Sequence, residues 1–289
     1  MEVLRLATRG SVLALTQSGQ VAAAIVAATG VRVETIVIRT QGDAIVDRPL
    51  SEIGGKGLFT KEIEEALLAG NADFAVHSLK DLPVEAPEGL VISAIPLRVD
   101  PRDALVGGTL ASLRQGARIG TGSLRRRHQL LAARPDLVCV NIRGNVDTRI
   151  RRQRDGDFDA VVLAAAGLIR LSRAADIAEW LDPEVMVPAV GQGALALQCR
   201  ADDPATAAVL ASVHDEVTAN CVTVERAFLA AIGGSCHVPA ACYATREGAR
   251  VIGLAFFSDD AGTARRARLV ADPLHVHALG VGLAKAVSG

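Results

Sequence analysis

Ala117-Arg118-Ile119-Gly120-Thr121-Gly122-Ser123-Leu124-Arg125-Arg126-Arg127 holds a strand, a turn and the start of a helix in one short run. Residues 117–120 read as a buried strand, Thr121-Gly122-Ser123 as a turn, and Leu124 to Ala133 as a helix with Ser123 at its N-cap. A strand, a tight turn and a helix in succession form the repeating unit of an α/β domain. Arg125, Arg126 and Arg127 crowd the first helical turn, where the helix dipole disfavours each cation by ~0.3 to 1 kcal/mol. Backbone N–H groups, the Ser123 hydroxyl and the repelled guanidiniums together make an anion site at the helix's own expense. The pattern recurs after a strand from Val138 to Ile142. Arg143-Gly144-Asn145 leads into a helix with Arg149 and Arg152 on one face, and solvated decoration accounts for Arg151 and Arg154. A further strand, Ala160 to Leu163, precedes a short apolar helix that carries Arg170 near its end.

Toward the N-terminus the same grammar holds. Val3 to Ala7 is a strand, Thr8-Arg9-Gly10-Ser11 a turn, and Val12 to Ala28 a helix capped by Ser11 and closed by Gly30. Arg9 beside that positive helix end is either a solvated arginine or an anion contact. Arg32 to Ile38 is a strand, and a glycine-rich loop through Gly54-Gly55-Lys56-Gly57 follows. Its spacing departs from G-x-x-x-x-G-K-[ST], which excludes a nucleotide P-loop and leaves Lys56 as an anion contact. Thr60 to Ala69 is an amphipathic helix with Ile63, Leu67 and Leu68 inward. The strand Phe74 to Val76 emerges into His77-Ser78-Leu79-Lys80-Asp81. Ligands bind at the ends of parallel strands, so Lys80 and Asp81 are either a solvated pair or part of a site.

Residues 96–101, bounded by prolines, and 188–193, with Pro188, Gly191 and Gly193, read as crossings between two α/β units. The strand Ala194 to Cys199 returns to the first sheet, and a long helix from Asp215 to Ile232 ends at Gly233-Gly234-Ser235-Cys236-His237-Val238-Pro239. Glycines and Pro239 break that helix and set Cys236 on a tight turn. Two readings stand for it: an ordinary buried cysteine at a domain edge, or a thiol displayed for modification. Strands at 240–245, 250–257 and 265–270 and a helix from Leu274 complete a small antiparallel unit.

The five cysteines include no C-x-x-C pair, so neither a disulfide framework nor a zinc site is expected, and no metal is expected elsewhere. Net charge is −1, yet residues 114–173 carry thirteen arginines against five acids. Aromatics are 3% of the chain, too few to stack single-stranded nucleic acid, so the basic region suits a small polyanion. Apolar runs such as Ala160 to Ile169 fall short of the ~20 residues of a membrane span. A cytoplasmic monomer with neither nucleic-acid nor membrane partner is expected.

Seven motifs in register give the sequence a resemblance to the porphobilinogen deaminase (hydroxymethylbilane synthase) family over essentially its whole length. They are residues 8–11, 53–59, 77–81, 120–126, 143–146 and 188–193, and the Cys236 turn. The resemblance implies an α/β fold with two type II periplasmic-binding-protein-like domains around a cleft, residues 1–96 plus 194–213 and residues 97–193. A small α+β domain, residues 214–289, would add a three-stranded antiparallel sheet and carry the cofactor cysteine. It implies a transferase of tetrapyrrole (porphyrin, heme) biosynthesis that joins four porphobilinogens head to tail into hydroxymethylbilane, releasing ammonia. The cofactor would be a dipyrromethane held by a thioether to Cys236, with Lys80, Ser123, Arg125, Arg126 and Arg143 contacting it. Arg9, Ser11, Lys56, Arg149 and Arg170 would contact substrate, and Asp81 would be catalytic. Glu52 stands where many relatives carry lysine. A non-catalytic bilobal anion-binding protein is the alternative, and it leaves Asp81 and the Cys236 turn without a role.

Overall fold

A computed structural model describes residues 3–40, 60–233, 238–259 and 262–288. Cys236 with its neighbours Ser235 and His237, as well as Lys56 and Glu52, lie outside the described residues. The chain divides into two compact units, Met1–Arg98 with Ala194–Ala219, and Val99–Gly193 with Asn220–Gly289.

In the first unit β1 (Val3–Arg9) pairs in parallel with β2 (Arg32–Ile38) and β3 (Phe74–Ser78). The returning strand β10 (Leu195–Arg200) lies antiparallel between β3 and β4 (Leu90–Ala94), giving the order β2-β1-β3-β10-β4. Strand alternation sends Leu4, Leu6, Phe74 and Val76 to one face, where they pack with Val21 and Ile25 of α1 (Val12–Thr29). Ala7 and Ala75 point to the other face, onto Ile63 and Leu67 of α2 (Lys61–Leu68). Each such large side chain contributes about 1.5 to 3 kcal/mol by leaving water. Leu68, expected inward, is 50% exposed, because successive residues on a helix diverge by a quarter turn and Leu67 takes the buried face. The helix α1 is long and apolar enough to cross a membrane by length and composition. Here its Val21 and Ile25 sit in the sheet core, and its Ser18 hydroxyl donates to Thr8 Oγ1 at 2.7 Å.

The second unit repeats the plan with the order β7-β6-β8-β5-β9. In it β6 (Arg118–Gly120) is parallel to β7 (Val138–Val140) and β8 (Ala160–Ala164), while β5 (Asp103–Val106) runs antiparallel between β8 and β9 (Glu179–Trp180). Alternation again splits the core. Ala104, Val106, Val161 and Leu163 meet Ile150 of α4 (Val146–Arg154) and Leu168 of α5 (Ala165–Arg170), while Leu105, Ile119 and Val162 meet Leu130 of α3 (Leu124–Ala133). Each of these two sheets therefore carries one antiparallel strand that follows a crossing segment.

Within the same unit the third sheet is antiparallel in the order β11-β12-β13, from Ala240–Glu247, Arg250–Ser258 and Ala264–Ala271. Its face bearing Val251 and Ala255 packs on Val224 and Phe228 of α6 (Glu216–Ala231) and on Leu279 and Leu283 of α7 (Val276–Ser288). Gly280 permits that contact, since a Cβ there would overlap the Val224 carbonyl and stand 2.8 Å from Ala227 Cβ. The opposite face, with Phe256, meets Val187, just before the second crossing. Cys199, Cys221 and Cys242 are buried, the first in the core of the first sheet and the other two in that of the third.

Candidate active site

In the first unit the candidate residues collect at the ends of β1 and β3, the two parallel neighbours. Arg9 closes β1, and the Ser11 hydroxyl caps α1 by accepting from Ala14 N at 3.3 Å. The first turn of α1 holds no acidic residue to answer its dipole. Beyond β3 a single 3-10 turn, Leu79–Asp81, presents a half-buried Lys80 and an exposed Asp81. Its pose is fixed from both sides by buried Leu79 and Leu82 and by the Leu79 N–H, which donates to Ala194 O at 3.1 Å. Gln17 on α1 donates to Ser78 Oγ at 3.0 Å, tying helix to strand end. Beneath them His77 is buried, and its neutral ring donates from Nε2 to Gln198 Oε1 at 3.1 Å.

Burial chiefly, with the charge of Arg9 adding to it, pulls the His77 imidazole down to about 4. The unfolded chain protonates this group near 6.5 and the native chain only near 4, so low pH favours unfolding. Stability is full above pH 6.5 and falls through that window, by a total on the order of 3 kcal/mol. Denaturant midpoints measured across the window check this: His77→Gln should lack this share of the slope, and a slope equal to the parent's contradicts it.

In the second unit the strand-to-helix turns form as expected. The Ser123 hydroxyl accepts from Arg126 N at 3.4 Å, Asn145 Oδ1 accepts from Thr148 N at 2.9 Å, and α3 has no acidic residue in its first turn. The nearest anion to those helical arginines is one of the chain's own. Asp103, fully buried at the start of β5, accepts from Arg125 Nη1 at 2.7 Å and from Arg126 Nη2 at 2.8 Å. Although burial works to raise it, the two guanidiniums hold Asp103 well below the usual carboxylate range. Arg149 donates to Gly144 O at 2.8 Å, and burial, with Arg126 and Arg143 nearby, pushes it down to about 10. Arg170 is 8% exposed and donates from Nη2 to Gly193 O at 2.9 Å, while its buried Nε has no partner among the described residues. Burial alone pulls it down to about 10. The outer part of the basic run behaves otherwise: Arg152 pairs with Asp157, and Arg154, expected free in solvent, pairs with Asp176 at 2.6 Å.

Arg170 depends on a neighbour that only glycine suits. Gly193 has φ 87°, a left-handed value, and a Cβ there would overlap the Val99 carbonyl oxygen. Gly193→Ala should therefore cost at least about 2 kcal/mol and disturb the carbonyl that Arg170 holds, which a thermal-unfolding comparison checks.

Comparison with known proteins gives this arrangement a context. Residues 4–208 match the family model described as porphobilinogen deaminase, dipyromethane cofactor binding domain, and residues 219–286 match the porphobilinogen deaminase C-terminal domain. The chain belongs to the porphobilinogen deaminase family. Porphobilinogen deaminase of Roseiflexus sp. (strain RS-1) is 52% identical over 86% of this chain and 83% of its own length. That of Syntrophotalea carbinolica is 49% identical over 98% of this chain and 91% of its own. Among solved structures, the methionine binding protein MetQ superimposes with TM-score 0.47 and 14% identity, over 76% of this chain and 95% of that one.

The porphobilinogen deaminase cofactor is a dipyrromethane, and each of its two pyrroles bears an acetate and a propionate. The second unit fits such a group: Arg126 and Arg143 lie close enough to Arg149 for their charge to add to the burial that lowers it, and Arg170 keeps a buried donor unsatisfied among the described residues. The structure thus gathers Ser123, Arg125, Arg126, Arg143, Arg149 and Arg170 in one unit, and Arg9, Ser11, Lys80 and Asp81 in the other. Sequence reasoning missed Asp103 because β5 is short and follows a proline-rich crossing. An acid opening the apolar run Ala104-Leu105-Val106 was the available signal.

Proposed function

We propose that the chain carries out its family's reaction, joining four porphobilinogens head to tail into hydroxymethylbilane with loss of ammonia, through the residues named above. Cys236 holds the dipyrromethane by a thioether on the C-terminal domain. Lys80, Ser123, Arg125, Arg126 and Arg143 hold its carboxylates. When bound, the cofactor supplies the pyrrole end to which the first substrate is joined. Arg9, Ser11, Lys56, Arg149 and Arg170 bind and orient substrate carboxylates, and the chain's guanidiniums offset the two negative charges that every addition brings. Asp81 stabilises the azafulvene-like cation that loss of ammonia leaves on the substrate, and assists proton transfer at the pyrrole N–H. Three domains, cut at residues 96/97, 193/194 and 213/214, are the division we favour. The protein acts in the cytoplasm as a monomer, on small molecules and without nucleic acid or membrane, and light scattering of the purified protein tests the monomer.

The observation that supports this reading best is the pair Arg149 and Arg170. Arg170 is buried and Arg149 half-buried, and no carboxylate of the chain is bonded to either among the described residues, so each guanidinium gives up water without a counter-ion. A site so built suits incoming anions. Arg149→Ala and Arg170→Ala should therefore slow the later additions and let partly extended enzyme accumulate, seen as intermediate intact masses during turnover. Arg151→Ala, on the exposed face, should match the parent. Intermediate distributions identical to the parent's in both variants would refute the assignment.

A further inference from the structure

Asp103 sits on the strand β5, paired on one side with Ala164 of β8, while its own carbonyl accepts from Leu181 N at 2.9 Å just past β9. Its carboxylate is therefore placed by sheet backbone on both flanks, which fixes it more tightly than a loop would. Four side-chain donors converge on it: Arg125 Nη1 on Oδ2, and Arg126 Nε, Arg126 Nη2 and Gln192 Nε2 on Oδ1, at 2.7 to 3.0 Å. Gln192 also donates to Pro101 O at 2.8 Å, which locks one crossing segment to the other around the same carboxylate.

Charge counting makes this cluster unusual for a purely structural pair. Two guanidiniums on one carboxylate leave a net positive charge, buried, at the N-terminal end of α3, where the helix dipole already opposes cations. For stability alone, well-packed apolar residues would serve as well or better. Arg126 engages all three of its nitrogens, Nη1 on Val162 O and Nε and Nη2 on Asp103, and keeps one N–H on each Nη. Arg125, by contrast, bonds through Nη1 alone among the described residues, to Asp103 and to Val187 O at 2.7 Å. Its Nε and Nη2 keep their donors for another acceptor.

We propose that Asp103 is a positioning residue for cofactor capture: an internal counter-ion that orients Arg125 and Arg126 so that their remaining donors and net positive charge receive a cofactor carboxylate. The proposal rests on the reading of Arg125 and Arg126 as cofactor ligands. It accounts for the excess of one charge, since a cofactor carboxylate restores neutrality to the cluster.

Asp103→Asn keeps the shape and removes the charge. With cofactor-free protein supplied with porphobilinogen, cofactor loading read by intact mass should fall at least ~10-fold, a loss of about 1.4 kcal/mol in capture. The cofactor-free variant should also gain more thermal stability from added inorganic phosphate than the parent does, because two uncompensated guanidiniums then recruit an external anion. Parental loading would overturn the proposal, and so would lost loading with a parental phosphate response, since that marks a residue needed only for the fold. If the Asn variant does not fold, Asp103→Glu carries the test: it should fold and respond to phosphate as the parent does yet load poorly, and parental loading overturns the proposal. Arg125→Ala separates the two readings. Full loading of that variant overturns the cofactor-ligand reading on which this proposal rests, whereas failed loading there beside normal loading in Asp103→Asn overturns the role of Asp103 alone.

Discussion

Replacing Asp81 with Asn is expected to lower turnover by ~10² to 10⁴-fold, the range for losing a positioned acid–base group, while porphobilinogen still binds. Asp81 is exposed on a turn anchored by Leu79 and Leu82, so the substitution leaves no buried group without a partner. Its neighbours Leu79 and Lys80 keep their backbone, because the turn is held by the Leu79 N–H and not by the Asp81 side chain. Substrate carboxylates are assigned to arginines, so binding is spared. An amide of the same shape cannot answer a developing cation as a carboxylate does, so the loss falls on the chemical step. Asp81→Glu should lose less, since it keeps the charge and misplaces it by about one methylene. Single-turnover ammonia release beside substrate binding, in cofactor-loaded protein, checks this. Release at the parental rate, or failure to bind with intact chemistry at saturation, would make Asp81 a positioning residue only.

Cys236→Ala should yield a folded protein with neither cofactor nor activity, because neither a methyl group nor a hydroxyl replaces a thioether sulfur. The other cysteines provide the controls. Cys199, Cys221 and Cys242 are buried in cores, and burial favours the neutral thiol at Cys199 and at half-buried Cys139. Replacing any of them by Ala or Ser should cost stability and leave activity in the folded fraction. Normal turnover by Cys236→Ala would end the attachment hypothesis.

Much of the α/β plan was legible because its signals are local. Ser11, Ser123 and Asn145 each cap the helix that their sequence position announces, and Gly30 ends α1 at φ 75°. The return of β10 to the first sheet was legible from an apolar run directly after a glycine-rich crossing. Three strands escaped notice, β4, β5 and β9, all of them short. The excess of arginine at the start of α3 was read correctly as an electrostatic problem. Its first answer, Asp103, comes from 22 residues earlier in the chain, and such long-range pairing leaves no periodic trace. Arg154 stays exposed on the outer face, as local pattern suggested, while Asp176 pairs with it there.

The central claim is that this chain polymerises porphobilinogen on a covalently held dipyrromethane. Intact-protein mass spectrometry of the active, purified protein, followed by peptide mapping, tests it most directly. The account predicts a mass excess equal to two pyrrole units, carried by the one peptide that contains Cys236. An active protein of unmodified mass, or one bearing that excess on another cysteine, would contradict it.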